Sequence, residues 1–203
     1  MDYKIDSSEL IKIVLAGNQK AFAWVVRRYQ GMVLQVLNKR FSRELSEKLA
    51  QEVFVEAYRK LPNFALSDNF SEWLLVLTLQ ACHEYRTKNY NELSNSKLNS
   101  SEKTTLDSVM NGGGASDLAF SDSMSDLHEK VLRLLNPEEQ LLVECNSYEK
   151  YSVKIIARVL KSNSLVIRFK SWIAKYKMHK MLANLLEAGN QGDYYNIREV
   201  FEI

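Results

Sequence analysis

Lys154, Arg158, Lys161, Arg168, Lys170, Lys175, Lys177 and Lys180 fall between residues 152 and 186, a stretch without a single Asp or Glu. Such a block suits a polyanion, because phosphate contacts supply most of the sequence-independent affinity for nucleic acid. A solvated helix face would carry the same charges, so both readings stand on composition alone. Residues 89–151 and the tail after Leu186 are acidic, and the formal net charge of +2 conceals this alternation. Other chemistry finds little support. His83, His128 and His179 have no Cys or acidic residue at metal-ligand spacing. Cys82 and Cys145 lie in apolar helical patterns without a CxxC and read as buried free thiols. Asn111-Gly-Gly-Gly lacks the preceding strand and following Lys-Ser/Thr of a phosphate loop. No GxSxG or HExxH occurs, and the carboxylates of residues 1–88 are spread over helix faces rather than paired at an apolar site. The expectation is a binding protein, not an enzyme, with no catalytic residue, metal or cofactor.

The elements that position the basic block are helical. Apolar residues recur at three and four in Leu10, Ile11, Val14 and Leu15, then in Phe22, Val25, Val26 and Tyr29, and on through Val33, Leu34, Val36 and Leu37. Asp6 or Ser7 can cap the first helix and Gly17-Asn18 marks the turn into the second. A third helix carries Leu49, Val53, Phe54, Ala57, Tyr58 and Leu61 and stops at Pro62, and a fourth starts near Asn69 and carries Phe70, Trp73, Leu74, Leu77, Ala81 and Tyr85. Residues 89–124 turn to Ser, Asn and Gly with no sustained apolar period and read as a flexible linker. Helices resume near Ser125, and Asn136-Pro137 predicts a cap with proline at the first helical position. Ser152 can cap a short helix over 153–160 whose apolar face is Val153, Ile156, Ala157 and Leu160. After the polar turn 161–164 a long helix runs to about Leu186. Two short helices, a tight turn and a long basic helix form the pattern of a helix-turn-helix.

The predicted fold is therefore all-α: two small helical domains, 1–88 and 125–186, joined by a flexible linker, with the C-terminal domain a helix-turn-helix and 187–203 an acidic, aromatic tail. Apolar content of 46% against 26% charged residues fits folded domains. No apolar run approaches the roughly 20 residues of a membrane span, and the N-terminus lacks a signal-peptide pattern, which reads as a cytoplasmic chain. On the long helix, Val166, Ile167, Ile173, Ala174, Met178, Met181 and Leu182 are expected to supply packing surface, with Arg168, Lys175 and the 171–172 turn on the other side. Ser162, Asn163, Ser164 and Arg168 would read base edges at the helix start, and Lys170, Lys175, Lys177 and Lys180 would meet phosphates.

Three linked segments carry a family resemblance. Ala16-Gly-Asn-Gln-Lys-Ala-Phe22, Leu49-Ala-Gln-Glu-Val-Phe-Val-Glu-Ala-Tyr-Arg-Lys-Leu61 and Asn63-Phe-Ala-Leu-Ser-Asp-Asn-Phe-Ser-Glu-Trp-Leu74 resemble, in order and spacing, region 2 of the extracytoplasmic-function sigma factors of the sigma-70 family. Residues 127–185 resemble region 4, through Leu134-Leu-Asn-Pro-Glu-Glu-Gln-Leu-Leu-Val143, Tyr151-Ser-Val-Lys-Ile-Ile-Ala-Arg-Val-Leu160 and the basic helix. The resemblance implies a factor that binds core RNA polymerase and directs promoter recognition and transcription initiation. Lys48, Gln51, Glu52 and Val55 would dock on clamp helices of the polymerase large subunit, and region 4 would meet the flap. Phe64, Ser67, Asp68 and Asn69 would hold a flipped base of the melted strand, whereas Phe64, Phe70 and Trp73 read equally well as core aromatics. Promoter DNA and an anti-sigma factor or recruiting protein complete the implied partners. The family pattern is broken at Lys48, where an acid is usual, at Leu79-Gln80, where Arg-Asn is common, at Lys161, where the turn is usually Gly, and at Leu165-Val166, an apolar opening for a base-reading helix. Those breaks predict a C-terminal domain whose DNA affinity exceeds its specificity, leaning on the 64–70 loop or a recruiting partner. A helix-turn-helix regulator that is not a sigma factor, and a helical adaptor using the basic helix for protein or membrane contact, are the other readings.

Overall fold

The computed structural model describes residues 6–66, 68–95 and 124–189. Among them every long regular element is an α-helix: α1 (Ser7–Leu15), α2 (Phe22–Asn38), α3 (Arg43–Lys60), α4 (Phe70–Asn95), α5 (Met124–Leu134), α6 (Pro137–Val143), α7 (Val153–Val159) and α8 (Ser164–Gly189). Most of the predicted linker and tail, 96–123 and 190–203, lies outside the described residues. The chain divides into two compact units, Met1–Tyr85 with Lys154–Ser162, and Arg86–Val153 with Asn163–Ile203.

In the first unit three of the helices start where a short polar side chain can satisfy free amides. Asp6 Oδ1 accepts from Ser7 N at 2.8 Å, Ser42 Oγ from Leu45 N at 3.5 Å, and Asn69 Oδ1 from Glu72 N at 3.2 Å. Gly17, at φ +102°, makes the left-handed turn that ends α1. Leu37, Leu74 and Val33 are fully enclosed between α1, α2, α3 and the first half of α4, each Leu contributing about 2 kcal/mol by leaving water. Pro62 converts the end of α3 into a 3-10 turn, Leu61–Asn63. Helix α4 continues to Asn95, past the expected boundary at 88, because no Gly or Pro interrupts it there.

Helix α7 belongs to this first unit, where Ile156 and Ala157 are buried as the periodicity requires. Glu72 and Arg158 pair at 2.6 Å, and Gln80 Nε2 donates to the carbonyls of Arg158 and Val159 at 3.3 and 3.5 Å. Gln80, which departs from the family pattern, thus ties α7 to α4, and Leu79 beside it is fully buried. Lys161 follows at φ +49°, the left-handed position that glycine normally fills. A Lys161→Val substitution is expected to cost about 1–2 kcal/mol in chemical denaturation, since a β-branched residue fits that backbone worst. Lys161→Gly should stay within about 1 kcal/mol of the parent.

In the second unit, Asn136 and Glu139 form the predicted N-terminus of α6 as a reciprocal capping box, with Pro137 in the first turn. On α5 the buried stripe consists of Leu127 and Val131, four residues apart, with Leu135 just beyond the helix end. Opposite them, Ile167, Ala174, Met178, Met181 and Leu182 bury one face of α8 against α5 and α6. A π-helical turn, Glu144–Tyr148, extends α6. It carries Glu144, which accepts two hydrogen bonds of 3.0 and 2.9 Å from Arg86, with side-chain exposures of only 11% and 17%.

Candidate functional site

Helices α2 and α3 enclose a groove of about 730 Å³ on the first unit, lined by Phe22, Val26 and Leu34 on one wall and by Ala50, Phe54 and Tyr58 on the other. Phe22 meets Tyr58 edge-on at 5.0 Å, which fixes the floor. Gln51 and Val55 line the same groove, and Val55 is 52% exposed. Lys48 and Glu52 are exposed beside them, so the four expected docking residues share one face of α3 at positions three, four and seven apart. Their buried counterparts on the opposite face are Leu49, Val53 and Ala57. At the ends, Glu47 pairs with Arg43, while Arg59 and Lys60 pair with Glu56, giving a polar rim around an apolar floor. That is the anatomy of a surface which accepts a protein helix.

The 64–70 loop is arranged differently from the expected base pocket. Phe64 and Phe70 are buried, meet each other edge-on at 5.5 Å, and join Trp73 and Tyr29 in one aromatic cluster. Phe64 is core and offers no open face. Asn69 spends its side-chain oxygen on the first turn of α4. Asp68 is exposed, as is Leu66 at 41%, whereas Ser67 lies outside the described residues. The aromatics therefore brace a loop whose exposed residues among those described are Ala65, Leu66, Asp68 and Asn69.

At the start of α8, Asn163 Oδ1 accepts from Val166 N at 2.8 Å and so caps the helix. Ser164 and Arg168 are exposed and Ser162 is half-buried. The expected phosphate contacts split into two sets. Lys170 is held by Glu138 at 2.7 Å and Lys177 by Glu139 at 2.9 Å, whereas Arg168 and Lys180 are exposed and Lys175 is half-buried. The packing face needs two corrections: Val166 and Ile173 are exposed, at 37% and 39%, and Ser171 is buried in place of a solvent-facing turn. Sequence reading also missed a line of exposed apolar side chains, Leu165, Phe169, Trp172 and Tyr176, whose steps of four, three and four residues were the available signal. Among the described residues no cluster of His, Cys, Asp or Glu could hold a metal ion.

Burial, then the neighbouring His128 and Lys175, push the His179 pKa below its ordinary value of 6.5. The unfolded chain then binds a proton that the folded one resists just below pH 6.5, so stability rises with pH through that window. Thermal midpoints are expected to fall between about pH 7.5 and about pH 5.5, and to fall less in His179→Gln. Equal losses in both proteins would assign the dependence to other groups.

Residues 25–91, which contain most of the α2–α3 groove and the 64–70 loop, match the sigma-70 region 2 family. The ECF RNA polymerase sigma-E factor of Haemophilus influenzae is 31% identical over 87 residues, 43% of this chain and 46% of that protein, so this match spans about half of the relative's length. The ECF RNA polymerase sigma-E factor of Escherichia coli K12 is 23% identical over 166 residues, 79% of this chain and 85% of that one. Residues 25–91 are thus similar to sigma-70 region 2, and most of the chain is similar to the ECF sigma-E factor of Escherichia coli K12. For the fold there is a further likeness, to CnrH in complex with the cytosolic domain of CnrY, at a TM-score of 0.52 and 18% identity, covering 90% of this chain and 98% of that one. No helix among its described residues is long and apolar enough to cross a membrane.

Proposed function

We propose that this protein is a sigma factor that binds core RNA polymerase and directs promoter recognition and transcription initiation, with residues 1–88 docking and opening DNA and residues 125–186 meeting the duplex. The observation that carries the reading is the exposed row Lys48, Gln51, Glu52 and Val55 beside an apolar groove, inside the segment that matches region 2. The relatives are named as RNA polymerase sigma-E factors, which supports the same partner here. At the 64–70 loop, Leu66 and Asp68 are the groups available to an extruded base, one apolar and one able to accept from an exocyclic amine. On α8, Ser164 and Arg168 are the available base readers, and Arg168, Lys175 and Lys180 the available phosphate contacts. Leu165 at the helix start offers no hydrogen bond to a base edge, which favours modest sequence preference with help from the region 2 loop or a recruiting protein.

Run-off transcription with purified core enzyme and genomic DNA tests the reading. Discrete transcripts that depend on added factor are expected. Failure of the protein to co-elute with core enzyme would overturn it and leave a helix-turn-helix regulator as the alternative.

A further inference from the structure

Helix α8 has two apolar faces. The first, around Ile167, Ala174 and Met178, is buried in its own unit. The second runs through Leu165, Phe169, Trp172 and Tyr176, which are 77%, 62%, 64% and 61% exposed. Phe169 stacks on Trp172 and Trp172 on Tyr176, with ring centroids 6.4 and 6.0 Å apart and interplanar angles of 22° and 17°. Three stacked rings in water, in line with an exposed Leu, are a patch of the kind that marks an interaction site. Its two edges differ in charge. Val166 and Ile173 form one edge, and Lys170 and Lys177 beyond them are neutralised by Glu138 and Glu139. Arg168 and Lys175, seven residues apart on the other edge, have no carboxylate partner among the described residues.

We propose that this stripe is the docking face for an acidic amphipathic helix of a protein partner, with Phe169 and Trp172 as anchors and Arg168 and Lys175 as its charge contacts. The steps of four and three residues between the exposed side chains are those of a heptad seam, which a second helix fills knob into hole. Cations spaced by seven along one edge call for carboxylates at the same interval on the incoming helix, the pairing that sets partner choice in helix seams. A second copy fits poorly. In an antiparallel pair the Arg168/Lys175 edge would face itself, and like charges would repel. Duplex DNA would draw on the same Arg168 and Lys175, so a duplex and the partner helix exclude one another on this face, and the four apolar side chains themselves add no hydrogen bond to a base edge. This surface is independent of the α2–α3 groove, so polymerase docking can succeed or fail without deciding it.

The test titrates the full chain with a labelled synthetic heptad helix carrying Leu at a and d and Glu at e and g, and with a twin carrying Lys for Glu, read by fluorescence anisotropy. The Glu helix is expected to bind and the Lys helix to fail. Trp172→Ala, or Phe169→Ser should the first variant not fold, should weaken binding at least about 30-fold. Arg168→Glu combined with Lys175→Glu should transfer the preference to the Lys helix. Equal binding of both helices, or full binding by folded Trp172→Ala, overturns the proposal. So does capture by phosphatidylserine vesicles without binding of the Glu helix, dimerisation through the stripe in sedimentation, or a requirement that residues 190–203 be deleted before the helix binds.

Discussion

Glu144→Ala is expected to destabilise the second unit by about 3–5 kcal/mol, the range for removing one partner of a buried ion pair. Arg86 enters from α4 and reaches Glu144 through both terminal nitrogens, at 3.0 and 2.9 Å, with little access to water. Without the carboxylate the guanidinium would lose two of the acceptors that replaced its hydration. Arg86→Met combined with Glu144→Met should cost far less than either loss alone, because the desolvation of both charges disappears together. Urea unfolding of the single and double variants measures the difference. A small effect of Glu144→Ala would mean that water reaches Arg86, and that the pair is effectively a surface contact.

Val55→Asp should weaken binding to core RNA polymerase about 100-fold while leaving the helical content unchanged. Val55 stands in the open side of the α2–α3 groove and contributes nothing to the buried face of α3, so the folded unit tolerates the change. A partner helix would have to desolvate the new carboxylate without a counter-charge in place, which costs several times more than the lost methyl contacts. Gln51→Ala with Glu52→Ala removes rim contacts only and should lower affinity about 10-fold. Competition for core enzyme, measured by native gel shift, separates the two. Undiminished binding of both variants would place the docking surface elsewhere.

Much of the fold was legible because local signals agreed. Pro62, Asn136-Pro137 and Gly17-Asn18 each punctuate a helix for a reason that acts within a few residues, and all three sit where the structure turns. The exposed row on α3 was legible in the same way, since exposure of Gln51, Glu52 and Val55 follows from burial of Val53 and Ala57 close by in sequence. The end of α4 was not, because Asn and Ser between 89 and 95 suit a loop and a helix nearly equally. Phe64 was misplaced for a related reason: an aromatic beside a loop can line a pocket or brace it, and only its contact with Phe70 and Trp73 decides. The long helix α8 deceived most. Its apolar residues surround nearly the whole circumference, so periodicity could not say which of two faces is covered, and Val166 and Ile173 were given to the wrong one.

The capped first turn of α6 changes what the basic block is worth. Glu138 and Glu139 stand at the start of that helix and each holds a lysine of α8, while Glu72 holds Arg158. Cations already neutralised within the protein carry no condensed sodium off the DNA when they approach it. Each one that keeps its carboxylate in the complex subtracts about 0.9 from the slope of log affinity against log salt. In the proposed duplex contact, entropy from released counterions would therefore be set by Arg168, the half-buried Lys175, Lys180 and the remaining exposed lysines of the block, and dissociation is expected over a broader range of ionic strength than the raw charge of residues 152–186 suggests.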